Sequence, residues 1–161
     1  MNDINSNILK LKSSDEKIFE IDENCLKRSN FFIQLKDILN LNEEIEIKDV
    51  ESKTLTRIID YLKHYQNEEP KIIPKPLPSS DLKPILSPWD YNYINPISIE
   101  ECIDLVNASN YLGIVYLVNL ACARLASEMI NCPIEEARAK FGIVPDMTEE
   151  EMAEYDKYPL N

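Results

Sequence analysis

Short alternating runs open the chain. In ILKLKS, Leu9 and Leu11 fall on one side and Lys10 and Lys12 on the other; KIFEID adds Phe19 and Ile21 after a Ser13-Ser14-Asp15 turn; EIEIK alternates Ile45 and Ile47 with charge. A period of two belongs to half-buried strands, so three short strands are predicted. Between the second and third, ENCLKRSNFFIQLKDILN carries Leu26, Phe31, Leu35, Ile38 and Leu39 at helical spacing, with a break near Ser29-Asn30. The predicted order is β-β-α-α-β. Next, SKTLTRIIDYLKHY sets Leu55, Ile58, Ile59 and Leu62 on one stripe, with Ser52 placed to cap the helix.

The pattern then stops. Pro70, Pro74, Pro76, Pro78, Pro84, Pro88 and Pro96 interrupt residues 66–96, excluding a long helix or a central strand there. Composition favours a disordered spacer, and its last part, SPWDYNYI, carries the rings of Trp89, Tyr91 and Tyr93 to dock the returning chain.

Helical spacing resumes at Ser98. Ser98 and Glu101 have capping-box spacing, Ile97 and Cys102 can staple the start, and Ile99, Ile103 and Val106 are expected to form the buried stripe. Gly113 can supply the left-handed residue that ends this helix. The following IVYLVNLACARLASEMI is apolar over more than one stripe: Val118, Ala121, Cys122, Leu125 and Met129 share one face, with Leu117 and Leu120 beside it. Such a wide arc needs more partners than one helix. Pro133 can occupy the first position of a helix using Ile134, Ala137 and Phe141 and ending at Gly142. A last short helix starts at Thr148 and Glu151, a second capping-box pair, with Met147 and Met152 able to staple it.

Charge narrows the partners. A net charge of −12 over 161 residues repels nucleic-acid phosphate and anionic lipid, so neither nucleic acid nor membrane is expected. The acidity is greatest over residues 128–161, where nine acidic residues face three basic ones. No apolar run reaches the length of a membrane span, and no basic-then-apolar leader is read at the start. With Cys25, Cys102, Cys122 and Cys132 scattered, an intracellular, reduced protein in the cytoplasm, the nucleus or both is expected.

Catalytic chemistry finds little material. His64 is the one imidazole and has no Cys or Ser beside it in a nucleophile motif; the cysteines lack metal-ligand spacing; two glycines cannot build a phosphate-cradling loop. No catalytic residue, metal or cofactor is expected. Surplus apolar helix surface is the positive signal, and it suits a groove that holds a partner's helix.

The motifs LKSSDEKIFEID, PWDYNYI, NYLGI and ACARLASEMI, followed by IEEARAKFGI and TEEE, occur in an order and spacing that resembles the S-phase kinase-associated protein family. These are small adaptor subunits of SCF (Skp, cullin, F-box) ubiquitin ligases. The resemblance implies a mixed α/β, BTB/POZ-like cullin-binding domain over 7–112 and a C-terminal helical F-box-binding region over 113–161. It implies that Asn110 and Tyr111 face the cullin, and that Val118, Leu125, Met129, Phe141 and Ile143 face the F-box. A BTB-type, elongin C-like adaptor for another complex is the alternative, and the helices after residue 131 favour the first. Self-association of the isolated chain through its apolar helical surface is compatible with either. Three departures stand out: residues 70–88 hold three Lys and one Asp where the family is acidic, CPIEE replaces a Lys-Thr-Pro start, and EYDKYPLN has no Trp.

Overall fold

The computed structural model describes residues 7–36, 44–144, 148–155 and 157. They form two compact units, divided between Ile130 and Asn131. The fold is mixed α/β, with a short N-terminal sheet and packed helices, the class expected from the sequence.

In the first unit, strands β1 (Ile8–Lys12) and β2 (Ile18–Asp22) form an antiparallel hairpin with Leu11 opposite Phe19 and Leu9 opposite Ile21. Strand β3 (Glu44–Glu46) runs parallel to β1, giving the order β2-β1-β3. The alternation points Leu11, Ile21 and Ile45 into the core while Lys10, Glu20 and Glu46 stay outside. A 3-10 turn at Glu23–Arg28 and helix α1 (Asn30–Lys36) follow the hairpin, broken at Ser29 as expected. Ile38 and Leu39 lie outside the described residues.

Helix α2 (Ser52–His64) buries Leu55, Ile58, Ile59 and Leu62, the stripe its spacing required. Its cap differs from the expectation. Ser52 is the first helical residue, and Asp15 from the β-hairpin turn accepts hydrogen bonds from the Ser52 amide at 2.7 Å and its hydroxyl at 2.6 Å. A carboxylate from a distant turn thus does the work assigned to the local serine.

Hydrogen bonds from Ser52, then Ser13, hold the Asp15 carboxyl well below the ordinary carboxylate range. Because the folded value is depressed, its contribution is present above the unfolded value near pH 4 and is lost as pH falls through the folded one. Asp15→Asn is therefore expected to lower the melting midpoint at pH 7 by a few degrees. That gap should narrow in melts below about pH 4, where Asp15 of the unfolded chain begins to protonate while the folded carboxyl is still ionised.

The proline-rich segment is packed rather than free. Pro70, Leu82 and Leu86 are buried and Ile73, Leu77 and Ile85 rest against the core, because aliphatic residues interleave with the prolines. Its last part forms helix α3 (Pro88–Ile94), capped by the Ser87 hydroxyl, which accepts from the Asp90 amide at 3.0 Å. Trp89 stacks between Tyr93 and His64, at 4.9 and 3.8 Å between ring centroids, so the aromatic residues dock as expected.

Helices α4 (Ile99–Tyr111) and α5 (Val115–Met129) pack on each other, and α4 also packs on α2. Ser98 and Glu101 form the full capping box. The buried face of α4 is Cys102, Leu105, Ala108 and Ser109; Ile99, Ile103 and Val106 are only half-buried. Packing between two helices rotates the buried arc away from the stripe read from spacing alone.

The second unit contains α6 (Ile134–Phe141) and α7 (Glu149–Tyr155). Pro133 is the N-cap of α6 rather than its first residue, and Gly142 closes it at φ +63°. Thr148 and Glu151 make the reciprocal capping bonds, at 2.8 and 3.3 Å. Met147 and the Met152 side chain lie outside the described residues. None of the α6 residues is buried, so this unit has little core of its own.

Candidate protein-binding surfaces

The first surface is built where α4 ends. Gly113 at φ +65° donates to the Asn110 carbonyl at 3.0 Å and Ile114 donates to Ser109 at 2.8 Å, a Schellman closure. The carbonyls exposed by this turn are taken up by α1. Ser29 hydroxyl and Phe31 amide donate to Leu112 at 2.5 and 3.3 Å, and the Asn30 amide donates to Gly113 at 3.3 Å. The last turn of α4 is therefore held rigidly from below while Asn110 and Tyr111 remain exposed. The Tyr111 ring lies 5.3 Å from that of Phe31, which meets buried Phe32 edge-on at 5.2 Å.

Tyr111 also lines an open groove of about 600 Å³ between α4 and the segment leading into α2. Glu100, Asp104, Asn107 and Tyr111 recur along one side of α4, and Asp49 and Glu51 face them with Lys48 as the one cation in the lining. Asn110 lies a third of a turn round and does not line the groove. Sequence reading missed Glu100, Asp104 and Asn107, although their i, i+4, i+7 spacing up to Tyr111 was a usable signal.

The second surface is the outer side of α5. Leu117, Leu120, Ala121 and Ala123 are buried, whereas Val118 and Leu125 are half-buried and Met129 is 52% exposed. Val115 and Cys122, both exposed, continue the outer stripe. The wide apolar arc thus resolves into a core face and an outward face, and Ala121 joins the core face rather than the stripe predicted to contain it. Phe141 is half-buried and Ile143 is 53% exposed; both belong to the second unit, where Ile134 and Val144 are exposed too.

Reaction chemistry has no comparable setting. Burial pushes the Cys102 thiol up to about 11 and raises that of Cys25, the reverse of what a thiolate nucleophile needs. His64 is spent on stacking with Trp89. Among the described residues no cluster of His, Cys, Asp and Glu could hold a metal ion, and no helix is long and apolar enough to cross a membrane.

Two exposed faces on a rigid α/β frame define a protein-interaction module. Comparison with known proteins gives its lineage. Residues 7–67 match the model of the Skp1 family, tetramerisation domain, and residues 115–157 that of the Skp1 family, dimerisation domain. The S-phase kinase-associated protein 1 homolog of Tetrahymena thermophila is 33% identical over 152 residues, covering 94% of this chain and 92% of that protein. SKP1-like protein 5 of Arabidopsis thaliana is 33% identical, covering 89% of each chain, and SKP1a of Dictyostelium discoideum, described as an SCF ubiquitin ligase complex protein, is 29% identical over 89% and 88%. The chain belongs to the Skp1 family, whose members are non-catalytic adaptors.

Proposed function

We propose that the protein is the adaptor that joins a cullin scaffold to F-box substrate receptors in an SCF-type ubiquitin ligase. The observation that carries this reading is the separation of two unlike exposed surfaces on one Skp1-family chain. One is the rigid end of α4, with a ring and an acidic groove; the other is the aliphatic outer stripe of α5. The relatives described as SCF subunits, SKP1a of Dictyostelium discoideum and sconC of Arthroderma otae, support it. Asn110 and Tyr111 are assigned to the cullin, the amide giving directional hydrogen bonds and the ring giving rigid contact area. Val118, Leu125 and Met129, with Phe141 and Ile143, are assigned to the F-box, since an aliphatic stripe at helical spacing suits helix docking.

The division by partner, 7–112 for the cullin and 113–161 for the F-box, differs from the division into compact units because α5 packs inward on α4 and outward on its receptor. A cytoplasmic or nuclear location, and self-association of the chain when no receptor is present, go with this reading. Purification from native cells is expected to recover a cullin together with F-box proteins; recovery of only one class would overturn it. Tyr111→Ala is expected to weaken cullin binding at least about tenfold while F-box binding is unchanged. Equal loss of both in a binding assay would show that the two surfaces are not separate.

A further inference from the structure

The proline-rich strap between α2 and α3 is basic in an acidic protein. Residues 70–88 hold Lys71, Lys75 and Lys83 against Asp81 alone, in a chain of net charge −12. The strap is also held at both ends. Where it leaves α2, the Arg28 guanidinium donates to the carbonyls of Tyr65 and Glu68 at 2.7 and 2.5 Å and pairs with Glu69 at 2.9 Å. Further along, buried Leu82 and Leu86 fix it to the core. Between these anchors Lys71, Ile72 and Lys75 stay exposed, while Ile73 rests on the core.

One of these cations reaches α5. Lys75 Nζ donates to Asn119 Oδ1 at 2.7 Å. Asn119 is four residues after Val115 and three before Cys122, so it borders the outer stripe that those two share with Val118, Leu125 and Met129. A neutral amide leaves the ammonium charge uncompensated and two of its three protons unused. Lys75 forms no ion pair among the described residues, and the two charges of α5, Arg124 and Glu128, pair with each other. An ordered, uncompensated cation beside an aliphatic stripe is the complement of a helix that carries a carboxylate next to its apolar anchors.

We propose that Lys75 forms a cationic rim to the α5 stripe and sets specificity among receptors, favouring an F-box segment with Asp or Glu beside the apolar side chains that seat on Val118, Leu125 and Met129. This rests on the assignment of that stripe to the F-box, and it adds a residue from a separate segment of the chain. At an exposed rim the pair is screened by salt, so the apolar area supplies most of the affinity and Lys75 the discrimination.

The test uses the full chain and two synthetic helical peptides with Leu at i, i+4, i+7 and i+11, the spacing of Val118, Cys122, Leu125 and Met129, flanked by Glu in one peptide and by Gln in the other. The wild type is expected to bind the Glu peptide about three- to fivefold more tightly at low salt, against the repulsion of its own net charge, and to lose that preference at high salt. Lys75→Gln should abolish the preference, Lys75→Arg keep it and Lys75→Glu reverse it, whereas Met129→Ala should weaken both peptides alike. Thermal melts and light scattering check that each variant is folded and in the wild-type oligomeric state. Equal binding of the two peptides by the wild type, binding of neither, or a preference that survives in Lys75→Gln would each overturn the inference. So would a dimer of the chain that neither peptide disperses, because the stripe would then belong to a second copy.

A recombinant F-box domain from Tetrahymena thermophila separates this inference from the reading beneath it. Binding of that domain that falls with Met129→Ala, together with no charge preference between the peptides, would overturn the rim and leave the F-box assignment standing. No binding of the domain by the wild type, with the charge preference intact, would overturn the F-box assignment and leave the rim to a different acidic helix.

Discussion

Leu117→Ala is expected to destabilise the first unit by about 3–5 kcal/mol, whereas Met129→Ala on the same helix should change stability by less than about 0.5 kcal/mol. Leu117 is 0% exposed and belongs to the inner face of α5 with Leu120 and Ala121. The packing there is close, since the Cys102 thiol of α4 donates to the Ala121 carbonyl at 3.3 Å. Deleting three side-chain carbons at such a site loses their transfer free energy and leaves a cavity that the two helix backbones cannot close. Met129, 52% exposed at the end of the outer stripe, leaves no cavity when truncated.

Binding is expected to show the reverse order. Met129→Ala should lose affinity for an F-box protein about tenfold, and Leu117→Ala should retain it under conditions where it is still folded. Denaturant titrations with unchanged slope, read beside an F-box pull-down, check both. A cost below about 1 kcal/mol for Leu117→Ala would contradict the described α4–α5 packing.

Gly113→Ala is the second large expected effect, about 2–4 kcal/mol. Two costs coincide there. The backbone sits at φ +65°, where a side chain meets the following carbonyl, and the added carbon would stand 2.9 Å from Asn30 Cβ. Relief requires α1 to move, which breaks the bonds from Ser29, Asn30 and Phe31 to the end of α4 and disturbs the setting of Tyr111. Cullin affinity is therefore expected to fall as well. Gly142→Ala separates the two costs: it has the same backbone conformation, with nothing within 4 Å of the added carbon, so about 1 kcal/mol is expected. Equal effects of the two substitutions on thermal unfolding would show that the α1 contact is unimportant.

Much of the fold was legible where the signal is local. The β-β-α-α-β order, the Leu55 to Leu62 stripe, the two capping boxes and both helix-ending glycines depend on residues within a few positions of one another. Errors arose where the partner is remote. Asp15 reaches α2 across 37 positions and displaces the local cap, and the proline-rich run is held by burial of Leu82 and Leu86 that no local propensity encodes.

The two candidate surfaces show the same division. Exposure of Tyr111 at a helix end and the excess of apolar residues on α5 could be read from pattern. The acidic stripe of α4 was overlooked because charged residues on an amphipathic helix ordinarily signify solvent, and only the facing Asp49 and Glu51 turn that stripe into a groove wall.

By itself the sequence determined the periodicities, the helix ends, the acidic balance and the lack of material for catalysis, all of them properties of single residues and near neighbours. Tertiary structure decided which side of α5 is core and which faces outward, and that Phe31 stands against Tyr111. Those outcomes depend on which distant elements occupy each face, and a repeating apolar pattern is compatible with any partner that covers it.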